Sequence, residues 1–514
     1  MTRPTTTAAW QTLQALATTP RAPSVIEPLA VAGLYADFSR QSVDSPVLEA
    51  LLALAETMAL PQRREALFSG ALVNVSEQRP ALHTALRAAP DKSLFLNGEN
   101  ITLFVQAQLE RVAAFSASIR NGRRRSASGQ AFTDVVNIGI GGSLLGPEMV
   151  CAALPRQSGD PRVHFVANVD GTHLEDVLVD LNPATTLFTV TSKTFTTDET
   201  MTNARSAQRW LASRMGEDAI AAHFVAITAN PAEARRCGYQ EDALFEFRDW
   251  VGGRFSLWST VGLPIALARG YATFEQVLAG AEAMDTHFAT APLARNLPVL
   301  LALVGIWNRN FLGMSAHAVL PYAQRLSLLP KHLQQLEMES NGKSVDIEGN
   351  PIDYATCPVL FGEAGTNGQH SFHQLLHQGS DCISNDIVVV AKPGSSLPEH
   401  HAKLLANAIA QADALWQGRA HTESHRVHPG KRPVTVLGLI TLDAHHLGAL
   451  IALYEHKVFV QGVLWNINCF DQWGVELGKT IAKSLLPQMT DADTAPLPHL
   501  HHLLVWLRES NART

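Results

Sequence analysis

Several short stretches of this sequence carry residue types that hold anions or move protons. Asn137-Ile-Gly-Ile-Gly-Gly-Ser-Leu-Leu-Gly146 follows an apolar run. Glycines placed directly after a strand let backbone N–H groups approach an anion at the start of the next helix, with Gly142 and Ser143 at the centre of the loop. A dinucleotide fingerprint counted from Gly139 would need glycine at 144, where Leu144 stands, so a nicotinamide site is weakened. In Ser192-Lys-Thr-Phe-Thr-Thr-Asp-Glu199, the residues Ser192, Lys193, Thr194, Thr196 and Thr197 offer four hydroxyls and an ammonium, which suit the acceptor oxygens of a phosphate. The same stretch reads as a capping box, with Thr196 as N-cap and Glu199 three residues on, opening a helix over 202–211. The two uses are compatible, because a capped helix start is itself an anion site.

Four further residue groups could act on a bound substrate. Arg254, after the glycine pair of Val251-Gly-Gly-Arg-Phe-Ser256, is suited to an oxyanion or to a structural ion pair. Gln334-Gln-Leu-Glu-Met-Glu-Ser-Asn-Gly-Lys343 holds Gln335 and two carboxylates, Glu337 and Glu339. Two positions apart they point in different directions, so at most one faces a given pocket. His370, in Gly362-Glu-Ala-Gly-Thr-Asn-Gly-Gln-His370, can transfer protons near neutral pH or simply cap the following helix. Gln472 and Lys479, seven residues apart, share one face of a helix to within about 20°.

Positioning these groups requires strands that end beside one another. Apolar runs at 135–140, 163–167, 186–191 and 223–228 alternate with helical stretches, and a second set at 358–361, 386–390 and 433–440 does the same around a helix at 448–463. The reading is α/β, with two doubly wound domains of mainly parallel sheet. The first hundred or so residues read as helical, with apolar spacing at 47–55 and 101–115. A polar connector at 121–130 follows, its Arg123 to Arg125 run a solvated face. A strand, glycine turn and helix recur at 138–147 and 361–377, a hint of duplication. Ligands of such sheets bind outside the carboxyl ends of the strands.

Composition bounds the function. A chain of 514 residues implies two or more cores, and 46% hydrophobic with 17% charged residues is a folded, not a disordered, balance. Forty basic against 47 acidic residues, net charge −7, argue against nucleic acid as a partner. The longest clean apolar run, 297–307, has 11 residues, so no membrane span is expected. The first ten residues lack the pattern of a secretory signal, and the five cysteines Cys151, Cys237, Cys357, Cys382 and Cys469 are scattered, which together point to reduced thiols and a cytoplasmic setting. Of 21 histidines, the clusters His400-His401, His445-His446 and His499, His501 and His502 lack HExxH or cysteine-partnered zinc spacing, so neither a metal nor a cofactor is expected.

In order and wording these segments resemble the glucose-6-phosphate isomerase (phosphoglucose isomerase) family. The resemblance runs over nearly the whole chain, from Phe68-Ser-Gly70 and Arg79-Pro-Ala-Leu-His-Thr-Ala-Leu-Arg87 to Phe470-Asp-Gln-Trp-Gly-Val-Glu-Leu-Gly-Lys479. It implies two sugar-isomerase-type (SIS) domains, a small one at 116–285 and a large one at 286–475. An N-terminal helical region at 1–115 would pack on the large domain, and 476–514 would form a C-terminal helical arm. It further implies a homodimer whose active sites draw on both subunits, and reversible aldose–ketose isomerisation of glucose 6-phosphate and fructose 6-phosphate through a cis-enediol(ate), as in glycolysis and gluconeogenesis. By the same resemblance Gly142, Ser143, Ser192, Lys193, Thr194, Thr196 and Thr197 match the sugar-phosphate loops. Glu339 matches the base, Arg254 the residue beside the enediolate, and Gln335 and Gln472 substrate contacts. His370, from the partner chain, and Lys479 match the ring-opening groups. The sequence departs from the family at Leu144, where aspartate is common, and at Ser371 and His373. The rival readings are a non-catalytic sugar-phosphate sensor, and a nicotinamide dehydrogenase with Asp170 at the ribose.

Overall fold

The computed structural model describes residues 2–490 and 500–511, so His499 lies outside the described residues. Residues 1–469 form one unit and residues 470–514 another.

The N-terminal region is not wholly helical. Ala32 (φ 49°) and Gly33 (φ 78°) both take left-handed backbone and join β1 (Leu29–Val31) to β2 (Leu34–Arg40) in a two-residue hairpin turn. Ala-Gly is a weaker hairpin signal than Asn-Gly, which is why helical periodicity dominated the reading there. A two-stranded ribbon, β3 (Phe95–Leu96) and β4 (Glu99–Asn100), leads to the helix Ile101–Arg120, where Asn100 accepts from the amides of Thr102 and Leu103.

The first large sheet comprises β5 (Asp134–Ile138), β6 (Arg162–Val166), β7 (Thr186–Thr191), β8 (Phe224–Thr228) and β9 (Leu244–Glu246), all parallel, in the order β6-β5-β7-β8-β9. Every residue of β5, β7 and β8 is buried, as strands covered by helices on both faces must be. Val136, Phe188 and Phe224 pack with Ala204, Ala207 and Leu211 of the helix Asp198–Met215.

The second sheet is built on β10 (Ala316–Pro321), β11 (Val359–Phe361), β12 (Ser384–Val390) and β13 (Val434–Leu439), parallel in the order β11-β10-β12-β13. Antiparallel to β13 lies β2, then β1 at the edge. Counted along the chain among the parallel strands alone, the first sheet runs 2-1-3-4-5 and the second 2-1-3-4, so the architecture is the expected α/β pair of doubly wound sheets. The two glycine turns, however, are not equivalent. One follows β5, the first parallel strand of its sheet, and the other follows β11, the second parallel strand of its own. What recurs is therefore the order of the parallel strands and not the place of those turns.

The helix Ala444–Leu464 is long and apolar enough to cross a membrane by length and composition, and nearly all of it is buried inside the protein. A Cβ added to Gly448 would stand 2.0 Å from the Val277 carbonyl, and one added to Gly280 would stand 1.8 Å from that of His445, so this helix and Tyr271–Thr290 touch backbone to backbone. It is a core helix, and it carries the buried side chains of Glu455, His456, Lys457 and Gln461.

In the second unit a 3-10 turn at Trp473–Val475 leads into the helix Glu476–Thr490, and a further helix spans His501–Asn511. Arg508 Nε donates to the Gln488 carbonyl at 2.7 Å.

Candidate active site

In the first sheet the chain crosses to opposite sides between β5 and β7, and the crevice outside their carboxyl ends is where a doubly wound sheet binds ligands. The two sequence segments suited to phosphate leave from these ends. After β5 the backbone turns through Gly141–Ser143 into the helix Leu145–Ala153. A Cβ on Gly142 would lie 2.0 Å from the Gly253 carbonyl oxygen and 2.7 Å from the Arg254 amide nitrogen, so only glycine lets this loop rest on the backbone before Arg254. A Cβ on Gly141 would lie 3.0 Å from Gln335 Nε2. Three segments separated by up to two hundred residues thus meet here. Buried Asn137 fixes the loop, donating to the Ser143 carbonyl at 3.2 Å and accepting from the Thr189 and Thr191 hydroxyls.

After β7, Ser192 Oγ lies 3.0 Å from Thr197 Oγ and accepts from the Phe195 amide at 3.0 Å, while Thr196 donates to Thr194 Oγ at 2.8 Å. The helix begins at Asp198 with Thr197, not Thr196, at the N-cap, and no side chain caps it. The expected capping box does not form because these hydroxyls bond to one another. Lys193 Nζ donates to the carbonyls of Asp249 and Val251, at 2.8 and 3.0 Å, and so ties this loop to the approach to Arg254. Burial lowers its pKa, and the positive charges of Arg79 and Arg254 add to the effect.

Arg254 sits in the 3-10 turn Gly253–Trp258, buried and fixed on three sides. Its Nε donates to Ser340 Oγ at 2.6 Å, Nη2 to the Cys469 carbonyl at 2.7 Å, and Nη1 to Glu339 Oε2 at 3.3 Å. Glu339 closes a π-helical turn, Gln334–Glu339, that continues the helix Leu329–Leu333. Packing gives the two carboxylates different surroundings. Glu337 is buried against Lys457, whereas the side chain of Glu339 stays 22% exposed beside the guanidinium. Lys343 Nζ donates to the carbonyls of Glu339 and Ser340, both at 2.8 Å, and holds the end of the turn.

Beneath this layer the His83 ring stacks on Phe255 at 4.7 Å, and the Arg87 guanidinium lies 4.3 Å over Trp258. Arg87 donates to both oxygens of Asp285 and to Glu455, and Trp258 Nε1 donates to Glu455 at 2.8 Å. Two carboxylates share one arginine. Burial alone would raise both, yet Arg87 and His456 bring Asp285 down to about 2, while burial prevails at Glu455 and pushes it up to about 7.

Gly142, Ser143, Arg254, Gln335 and Glu339 are therefore assembled in one place, with the Ser192, Lys193, Thr194, Thr196 and Thr197 loop tied to it through Lys193. Of the other candidates, His370 and Asp170 belong to the first unit, and Gln472 and Lys479 to the second. His370 is exposed on the turn Asn367–His370 after β11, where the neighbouring Gln369 donates to the Tyr322 hydroxyl at 2.7 Å. Lys479 is exposed in the second unit and pairs with Glu476 at 2.9 Å. Gln472 precedes the helix, with φ −151° and ψ 45°, so it does not share a helical face with Lys479 as the spacing predicts. Asp170 caps the helix Gly171–Leu178, accepting from the Thr172 amide at 3.2 Å. Among the described residues no group of three or more His, Cys, Asp or Glu side chains is placed to hold a metal ion. Sequence reasoning missed Asn137, Ser340, the Cys469 carbonyl and Lys457. Only Lys457 left a signal, as a cation within an apolar helix.

Glycine- and hydroxyl-rich loops at a topological switch point, with a fixed guanidinium against a partly open carboxylate, are features suited to an anionic ligand in an α/β protein. The phosphoglucose isomerase family model matches residues 37–496, and the chain belongs to that family. It is 51% identical over 458 residues to glucose-6-phosphate isomerase 1 of Chromohalobacter salexigens, covering 88% of this chain and 84% of that one. It is 49% identical over 490 residues to glucose-6-phosphate isomerase of Cupriavidus metallidurans, covering 91% of each. The crystal structure of a glucose-6-phosphate isomerase from Chlamydia trachomatis is similar over the full length of both chains, with TM-score 0.88 and 34% identity.

Proposed function

We propose that this chain interconverts D-glucose 6-phosphate and D-fructose 6-phosphate through a cis-enediolate, the step shared by glycolysis and gluconeogenesis. The observation that carries the reading is the Arg254 guanidinium, locked by Ser340 and Cys469 and 3.3 Å from the Glu339 carboxylate, with the glycine loop packed on its backbone. In this reading Ser143, Ser192, Thr194, Thr196, Thr197 and the Gly142 backbone hold the phosphate, and Lys193 adds charge beside them. Gln335 and Gln472 contact the sugar. Binding energy spent on the remote phosphate then orients the reacting carbons.

His370 of one protomer, assisted by Lys479, moves a proton between the C1 hydroxyl and the ring oxygen and opens the pyranose. Glu339 removes the C2 proton, and the carboxylic acid so formed returns it to C1. The negative charge that develops on the enediolate oxygens falls opposite the Arg254 guanidinium. As the family resemblance implies, we read His370, which is exposed here, as serving the partner's site in a homodimer. We also read residues 116–285 and 286–475 as the small and large domains, 1–115 as packing on the large one, and 476–514 as the arm. The setting is cytoplasmic, and the partner of the protein is the sugar phosphate and a second copy of itself.

The test is conversion of fructose 6-phosphate to glucose 6-phosphate by purified protein in EDTA, read through a coupled dehydrogenase. Turnover supports the isomerase. Folded protein that binds the sugar phosphate without turnover is instead a sensor on the same framework.

A further inference from the structure

The turn Gln334–Glu339 carries both Gln335 and Glu339, and its rotational phase decides which of its two carboxylates meets Arg254. We propose that the buried ion pair between Lys457 and Glu337 is a positioning device that sets this phase and so aims Glu339 at the substrate. The inference rests on the reading of Glu339 as the base.

Lys457 Nζ donates to both oxygens of Glu337, at 3.1 and 2.8 Å, and the two side chains are only 3% and 1% exposed. Lys457 belongs to the core helix Ala444–Leu464, which is itself locked backbone to backbone against Tyr271–Thr290. The same stretch of that helix holds the far end of the turn, because Asn341 Nδ2 donates to the Val458 carbonyl at 3.1 Å. Arg254, on the opposite side, takes Ser340 Oγ. Glu337, Ser340 and Asn341 are thus pinned in sequence, and Glu339 between them has one direction left.

A buried ion pair is a poor source of stability, since well-packed apolar replacements are often neutral or better, but an unpaired buried charge is costly. Asp386, which already accepts from His317 and from the Tyr454 hydroxyl, also faces Lys457. Any phase that turned Glu337 away would leave its carboxylate unpaired in the core, and would leave Lys457 only Asp386, which His317 and Tyr454 already engage. The pair therefore excludes the alternative settings that a π-helical turn, with its looser closure, would otherwise allow.

The test compares isomerisation with ring opening, which the mechanism assigns to His370 and Lys479 and not to this turn. In the double variant Glu337→Leu/Lys457→Met the fold is expected to persist. Isomerisation kcat should fall on the order of 100-fold, the effect of misplacing a reacting group by about 1 Å. The rate of anomer interconversion at saturating glucose 6-phosphate should stay within about twofold. A general structural defect would lower both rates together, and unchanged isomerisation in the folded double variant would overturn the proposal. If that protein does not fold, Lys457→Arg serves. It keeps the charge pair with a longer, forked donor, and the ratio of isomerisation to anomer interconversion should drop at least about fivefold. An unchanged ratio again overturns the proposal. Wild-type protein without isomerisation, or Glu339→Gln protein with full isomerisation, would instead defeat the functional reading, and this inference with it.

Discussion

Replacing Arg254 tests whether a preorganised cation carries the chemical step. The guanidinium makes three directional contacts from a buried position, at 2.6, 2.7 and 3.3 Å, so it is oriented before substrate arrives. A fixed donor facing charge that appears only in the transition state is worth about 3–4 kcal/mol, which at about 1.4 kcal/mol per decade is a loss of two to three decades in kcat for Arg254→Ala. The substitution also takes the donor from Ser340 and from the Cys469 carbonyl, at about 1–3 kcal/mol each, a substantial part of an ordinary domain's stability. Arg254→Lys is therefore the companion variant. It keeps the charge but not the fork, and should fold well while losing about one decade. Initial rates with fructose 6-phosphate, corrected for folded fraction by circular dichroism, give kcat and KM separately. A fall in kcat with KM within about threefold is predicted. A raised KM with intact kcat would mean that Arg254 binds substrate and transition state alike, and would refute the reasoning.

Gly142→Ala should abolish activity and lower Tm, because the new methyl collides with the Gly253 carbonyl at 2.0 Å, whereas Gly171→Ala, with open space around it, should do neither. Equal thermal shifts for the two would contradict the packing described. For Glu455→Gln, chemical unfolding at pH 5 and 8 isolates one carboxyl. Its folded pKa is raised from 4.5 to about 7, so its contribution is complete below 4.5 and is lost as pH rises through about 7, up to about 3 kcal/mol. The wild type should therefore lose ground to the variant between pH 5 and 8, and parallel profiles would count against a buried proton on Glu455. Mixing inactive His370→Ala with inactive Glu339→Gln protein under exchange conditions should restore up to about a quarter of wild-type activity if each site draws on both subunits, as a hybrid dimer then contains one intact site. No recovery from mixed dimers would place both residues in one protomer's site.

Much of the fold was legible because strands covered on both faces must be apolar throughout. β7 matches its sequence run residue for residue, and β5 and β8 differ by one or two positions. β10 escaped notice because Ala-His-Ala-Val-Leu-Pro mixes small, polar and ring-closed residues, and its His317 is satisfied only by Ser384 and Asp386 from a strand nearly seventy residues away. The hairpin at 29–40 was hidden by an alanine in left-handed backbone. At the site, local chemistry marked the glycine loop, the hydroxyl loop and Arg254. That Glu339 and not Glu337 meets Arg254 goes with the pairing of Glu337 to Lys457, 120 residues on, and no local pattern encodes such a pairing.

The central claim is that Glu339 carries the C2 hydrogen as a proton. Glucose 6-phosphate deuterated at C2, isomerised in ordinary water and followed by NMR at C1 of the product, tests it directly. The account predicts that deuterium is lost to solvent in measurable part, because a carboxyl at a partly open site exchanges with water, and that Glu339→Gln slows both isomerisation and label loss by about two to four decades. Quantitative retention of deuterium at C1, with Glu339→Gln near wild-type rate, would contradict it.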